Sequence, residues 1–178
     1  MNLPNRLSLL RVLMIPIMVA LLYVHTPLCN YLAAAVFALA SFTDFLDGYI
    51  ARKNGLVTTF GKFVDPLADK LLVLSSLIMM SYHGLMLAWV VVVILGRELA
   101  VDGLRMIAVS RGQVIAAGWL GKVKTVSQMI LVLYLMLLRI PVMGHWFGML
   151  LCGWVVIITV WSGVDYFVRN GKCLIEEM

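Results

Sequence analysis

Charged side chains are scarce in this chain: they make up 13% of its 178 residues, against 63% hydrophobic ones. That scarcity excludes an ordinary soluble domain, in which about a quarter of residues are charged. A mean hydropathy of +1.01 points instead to the bilayer as solvent. Cysteine is scarce too. Cys29, Cys152 and Cys173 are an odd number without metal-ligand spacing, which argues against a zinc site and predicts free thiols. No stretch concentrates the basic residues, so the formal charge of +5 fits anionic head groups and phosphorylated substrates rather than nucleic acid. There is no internal repeat or low-complexity segment. No small-residue cleavage pattern follows the first apolar run, which predicts a retained first span rather than a removed signal.

What the chain does have is long apolar runs, at 7–24, 30–50, 63–82, 85–108, 120–138 and 146–168. A spanning helix takes about 20 mainly apolar residues. The expected fold is therefore all-α: a polytopic membrane protein, a six-transmembrane-helix bundle, in a single domain over 1–178 with no room for a soluble one. The breaks carry turn residues: His25-Thr26-Pro27, Lys53-Asn54-Gly55, His83-Gly84, Arg111-Gly112 and Pro141-Val142-Met143-Gly144. Six spans put both termini on one side. Arg6, Arg11, Arg52, Lys53, Lys62, Arg105, Arg111, Lys122, Lys124, Arg169 and Lys172 then share that side, whereas the other has only Arg139 with His25, His83 and His145. The positive-inside rule makes the basic side cytoplasmic, so the expected location is the inner, cytoplasmic membrane with both termini facing the cytoplasm.

Acids are placed where they cost most. Asp44 and Asp47 fall near the end of the second run, Asp65 and Asp69 near the start of the third. An ionised Asp at a span's centre costs about 2.5–3.5 kcal/mol on insertion scales, so four in one hairpin need cations. Asp44 and Asp47 are i,i+3 neighbours and Asp65 and Asp69 i,i+4 neighbours, so each pair shares a helix face. At about 1.5 Å rise per residue, both pairs reach one level roughly 12 Å below the cytoplasmic surface. Four hard oxygen donors suit two divalent cations, Mg²⁺ or Mn²⁺, which would polarise a phosphoryl group. Gly48 and Ala51 leave room beside the acids, Gly61 lets a base or phosphate approach backbone, and Arg52 suits a diphosphate. The competing reading pairs the acids with Arg52, Lys62 and Lys70 as buried bridges, which spends more carboxylates than charge pairing needs.

These residues resemble the signature of the CDP-alcohol phosphotransferase family, D-x-x-D-G-x-x-A-R, eight residues, then G-x-x-x-D-x-x-x-D. Every fixed position is filled: Asp44, Asp47, Gly48, Ala51, Arg52, Gly61, Asp65 and Asp69. The resemblance implies six membrane helices, a homodimer and a site open to the cytoplasm. It implies that the four aspartates hold the metals, that Asp69 is also the general base, and that Gly48, Arg52 and Gly61 surround the cytidine diphosphate. The opening Asn2-Leu3-Pro4-Asn5-Arg6-Leu7-Ser8-Leu9-Leu10-Arg11 is similar to the N-terminal N-x-L-T-x-x-R segment of one branch, with Ser8 for threonine, which adds Asn5 and Ser8 to the lipid-donor contacts. Phe63 to Lys70, Gly96-Arg97-Glu98, Gly103-Leu104-Arg105 and Gly121 to Thr125 resemble the same branch. It implies CDP-diacylglycerol as donor and glycerol 3-phosphate as acceptor, with hydroxyl attack on the phosphatidyl phosphorus and CMP leaving.

Arg97 and Glu98 lie midway along the fourth run, with Arg105 two turns on and Lys122 and Lys124 opening the fifth from the same side. Arg97, Arg105, Lys122 and Lys124 are the candidate cations for an acceptor phosphate. The alternatives are a structural Arg97–Glu98 pair and ordinary anchoring lysines. Asp102 and Asp165 read as structural, the three histidines as non-catalytic, and Trp89, Trp146, Trp154, Trp161 and Tyr166 as packing or interfacial groups. Two rivals remain: a family member using phosphatidylglycerol, inositol phosphate or serine, and a small cation transporter. The apolar outer halves of the spans argue against the transporter.

Overall fold

The computed structural model describes residues 3–24, 26–54, 59–110 and 118–171, with side chains described outside 3–8 and 44–66. The described residues form six α-helices and no strand: α1 (Leu3–Val24), α2 (Pro27–Asn54), α3 (Thr59–Tyr82), α4 (Ala88–Ser110), α5 (Trp119–Leu138) and α6 (Trp146–Asn170). A short 3₁₀ turn, Val142–Gly144, precedes α6. Six helices fall where six apolar runs were expected. They extend beyond the runs at several ends, α2 through Lys53 and Asn54 and α3 from Thr59. Apolarity records the thickness of the bilayer, whereas a helix continues as long as its backbone hydrogen bonds can be made.

Local chemistry sets several boundaries. Thr26 caps α2: its hydroxyl accepts the Cys29 N–H at 3.2 Å, and Pro27 takes the first helical position, where its missing N–H costs nothing. The α3–α4 connection turns at Gly84, whose φ of +69° is one that glycine adopts without strain. At the end of α5, Arg139 adopts φ +57° and its N–H bonds to the Leu135 carbonyl at 3.0 Å, so a non-glycine residue holds the left-handed cap position.

The helices divide into two compact units. The first contains α1, α2, α3 and the last part of α5, 132–139. Within it α1 packs most extensively on α2 and then on α3, while α2 and α3 touch over a smaller area. Its core holds Met18, Leu22, Phe37, Leu72, Leu77 and Met80, with Ala33, Ala34 and Ala40 of α2 supplying the small positions that let helix backbones approach. His83 Nε2 lies 2.9 Å from the Leu22 carbonyl, which fits a structural histidine.

The second unit contains α4, the rest of α5, the 3₁₀ turn and α6. On α4 the buried residues are Val90, Val91, Ile94, Glu98, Val101, Leu104 and Ala108, a stripe at helical spacing. The facing stripe of α6 is rich in small residues, with Gly148, Cys152, Ser162 and Gly163 beside Val155, Ile158, Thr159 and Tyr166. Polar side chains join α5 to α6: Gln128 donates to the Thr159 hydroxyl at 3.4 Å and the Trp154 indole to Ser127 at 3.0 Å. Among the described residues Cys29 and Cys152 form no disulfide; Cys173 lies outside them.

The outer surfaces are strongly apolar, with Leu13, Leu28, Ile78, Val92, Met106, Ile157 and Val168 all exposed. Among the described residues, α5 and α6 are each long and apolar enough to cross a membrane, and 9–24 and 27–43 are shorter apolar helical segments. Arg97, Glu98, Asp102 and Arg105 interrupt the apolarity of α4. The chain is an all-helical membrane protein.

Candidate active site

The backbone carries the four aspartates on two helices that touch. Asp44 and Asp47 lie in the C-terminal half of α2, Asp65 and Asp69 in the N-terminal half of α3. Both helices are continuous through these positions, so the i,i+3 and i,i+4 spacings do place each pair on one helix face. Asp69 is half-buried. The side chains of Asp44, Asp47 and Asp65 lie outside the described residues, as do those of Asn5, Ser8, Arg52 and the surroundings of Gly48 and Gly61. Among the described residues no three His, Cys, Asp or Glu side chains gather into a metal-binding group. The donor set itself, four carboxylates on one pair of contacting helices, is the hard-oxygen chemistry that Mg²⁺ and Mn²⁺ require.

In the second unit the cations separate into different environments. Lys124 is 4% exposed and its ammonium donates to Glu98 Oε1. Arg97 Nη1 lies 3.6 Å from the same oxygen. Glu98 therefore bridges a residue of α4 and a residue of α5, so it is more than the local partner of its neighbour Arg97. Lys122, two residues before Lys124, is exposed. The sequence grouped the two lysines together, but two residues is a little over half a helical turn, which points their side chains to opposite sides of α5.

Arg97 and Arg105 both turn toward α6. The Arg97 stem packs on Gly163, where an added Cβ would stand 3.0 Å from Arg97 Cγ. The Arg105 guanidinium carbon lies 5.9 Å from the centroid of the Tyr166 ring. Tyr166 packs with Val101, Leu104 and Phe167. Arg97 Nε, Arg105 Nε and the Tyr166 hydroxyl are all buried without a hydrogen-bond partner among the described residues. Asp165, by contrast, is satisfied at the surface by Arg169, at 2.7 Å one turn along α6.

Two residues stand out here that sequence reasoning had not assigned to a site. Tyr166 was one aromatic among many, and nothing in its local sequence tells a packing ring from a ring with a buried, unsatisfied hydroxyl. Arg11 was counted among the cytoplasmic-side cations, yet it is fully buried in α1. A buried arginine in an apolar helix is costly and marks function more often than anchoring. Its place at the end of the Asn5-to-Arg11 segment was the available signal.

Comparison with known proteins agrees with this picture. The model of the CDP-alcohol phosphatidyltransferase family matches residues 1–161. The chain is 42% identical to the CDP-diacylglycerol--glycerol-3-phosphate 3-phosphatidyltransferase of Bacillus subtilis (strain 168), over 97% of each chain. It is 42% identical to a probable phosphatidylglycerophosphate synthase of Mycobacterium tuberculosis (strain ATCC 25618 / H37Rv), over 94% of this chain and 81% of that one. The Escherichia coli (strain K12) protein with the same name as the Bacillus relative is 33% identical over 99% of this chain and 98% of its own.

Proposed function

We propose a reaction from one secure premise: the chain belongs to the CDP-alcohol phosphatidyltransferase family. It transfers the phosphatidyl group of CDP-diacylglycerol to sn-glycerol 3-phosphate, giving phosphatidylglycerophosphate and CMP, a step in the synthesis of anionic phospholipids. The observation that carries this reading is the complete eight-position carboxylate signature on the contacting helices α2 and α3. Relatives named for this reaction, 33% to 42% identical along almost the whole chain, support the choice of acceptor.

In this mechanism the free hydroxyl of glycerol 3-phosphate attacks the phosphorus bonded to diacylglycerol. A bond forms from that oxygen to phosphorus, and the bond from phosphorus to the CMP oxygen breaks. The Asp69 carboxylate accepts the hydroxyl proton. Asn5, Ser8, Gly48, Arg52 and Gly61 hold the cytidine diphosphate of the donor, Arg52 by paired N–H bonds to phosphate oxygens. Two divalent cations, Mg²⁺ or Mn²⁺, held by Asp44, Asp47, Asp65 and Asp69, would supply charge neutralisation and phosphoryl polarisation. Arg97, Arg105 and Lys124 provide positive charge for the acceptor phosphate, with Glu98 fixing Lys124 and Arg97 in place, whereas Lys122 is exposed on the other side of α5. The diacylglycerol tails stay in the bilayer.

The whole of 1–178 works as one family domain, as a homodimer in the cytoplasmic membrane, with termini and site facing the cytoplasm. The distribution of Lys and Arg between alternate connections supports that orientation. The test is CMP release by purified protein given CDP-diacylglycerol, Mg²⁺ or Mn²⁺, and a panel of acceptors. Release with glycerol 3-phosphate and little with serine or inositol phosphate is expected. Release with serine and none with glycerol 3-phosphate would refute the acceptor.

A further inference from the structure

On two neighbouring helices of the second unit, three buried polar atoms have no hydrogen-bond partner among the described residues: Arg97 Nε and Arg105 Nε on α4, and the Tyr166 hydroxyl on α6. An arginine nitrogen only donates, and a phenol donates readily. Leaving such donors buried and unmade is unfavourable, so a cluster of them in one helix pair is prepared for something that only accepts. Of the carboxylates near them, Glu98 already takes the Lys124 ammonium and lies against Arg97, Asp102 also acts on Arg97, and Asp165 pairs with Arg169. Such a set of donors suits an anion supplied from outside the protein.

Tyr166 is built to hold its position. It is 6% exposed, and its ring is fixed between Val101 and Leu104, with Phe167 beside it and the Arg105 guanidinium over it. Gly163, one turn earlier on the same face of α6, admits the stem of Arg97. A tyrosine kept only for packing would need no hydroxyl, and phenylalanine would fill the same apolar contacts.

We propose that Tyr166 is a further acceptor-binding residue, whose buried hydroxyl donates to an oxygen of the acceptor's phosphate monoester alongside the Arg97 and Arg105 guanidinium groups. The proposal rests on the phosphorylated acceptor of the reaction above. The arginines supply charge, which any anion would satisfy. The tyrosine adds a neutral, directed donor that recognises an oxygen at one position. It thereby sharpens selection for a tetrahedral phosphate over a carboxylate such as that of serine.

Tyr166→Phe removes one oxygen and leaves the packing. CMP release is followed against glycerol 3-phosphate at saturating CDP-diacylglycerol, and against CDP-diacylglycerol at saturating glycerol 3-phosphate. The expected result is a rise in KM for glycerol 3-phosphate of about ten- to a hundredfold, the worth of one hydrogen bond to a charged group. KM for the lipid should stay within about twofold of wild type, with melting in detergent unchanged. Inorganic phosphate should protect wild-type protein against thermal unfolding at concentrations that do nothing for Tyr166→Phe, a readout independent of turnover. An unmoved KM for glycerol 3-phosphate, or both KM values rising together with a lower Tm, would overturn the role. Wild-type protein inactive with glycerol 3-phosphate but protected by phosphate through Tyr166 would sink the assigned reaction and leave the anion site standing.

Discussion

Replacing Glu98 by glutamine tests the central electrostatic claim about the second unit. The substitution keeps shape and removes one negative charge. The Lys124 side chain is 5% exposed and that of Arg97 12%, so neither cation can turn to bulk water for compensation. Removing one partner of a buried ion pair costs about 3–5 kcal/mol. For a chain of this size each kcal/mol is worth about 2–4 °C of Tm, so Glu98→Gln should melt about 6–20 °C below wild type. Tryptophan fluorescence of the protein in detergent micelles would follow the transition. The double variant Glu98→Gln with Lys124→Met removes the cation as well and should recover a large part of the loss, because a buried pair is replaced far more cheaply than it is broken. A Glu98→Gln protein melting within about 2 °C of wild type, with no gain in the double variant, would refute the reasoning: the pair would then be solvated and worth no more than a surface bridge.

Three further outcomes follow from the site. Asp69→Asn should lower CMP release by at least about 10²-fold, the usual contribution of a positioned base, while binding of cytidine nucleotide persists; near-normal turnover would remove Asp69 from that role. Gly163→Ala places a Cβ 3.0 Å from Arg97 Cγ, so it should raise KM for glycerol 3-phosphate with a stability loss of about 1–3 kcal/mol from overpacking, read from parallel kinetic and melting curves. Chelation by EDTA should abolish CMP release, and Mg²⁺ or Mn²⁺ should restore it; full activity in chelator would contradict the carboxylate site.

The amino-acid order by itself determined the six helices and the pairing of aspartates. Both are local properties: an apolar run of bilayer length has no alternative to a helix, and residues three or four apart share a face wherever that helix forms. It also determined the family, because the signature is a set of spacings. The helix ends were less legible, since Lys53 and Asn54 continue α2 beyond the apolar run that marks the membrane.

Only the tertiary structure decided which charges meet. Glu98 and Lys124 are 26 residues apart and on different helices, and periodicity reports which face is buried without saying what stands across the gap. The same holds for Arg11, whose position near a helix start reads as an anchor until the packing of the first unit encloses it. Tyr166 is the clearest case. Its ring follows the apolar pattern of α6, whereas the meaning of its hydroxyl depends on the Arg105 guanidinium of α4 lying over that ring and on no hydrogen-bond partner reaching the hydroxyl from the described residues. Local spacing selects the chemistry a helix carries, and long-range packing selects which of those groups are already satisfied and which are left for a substrate.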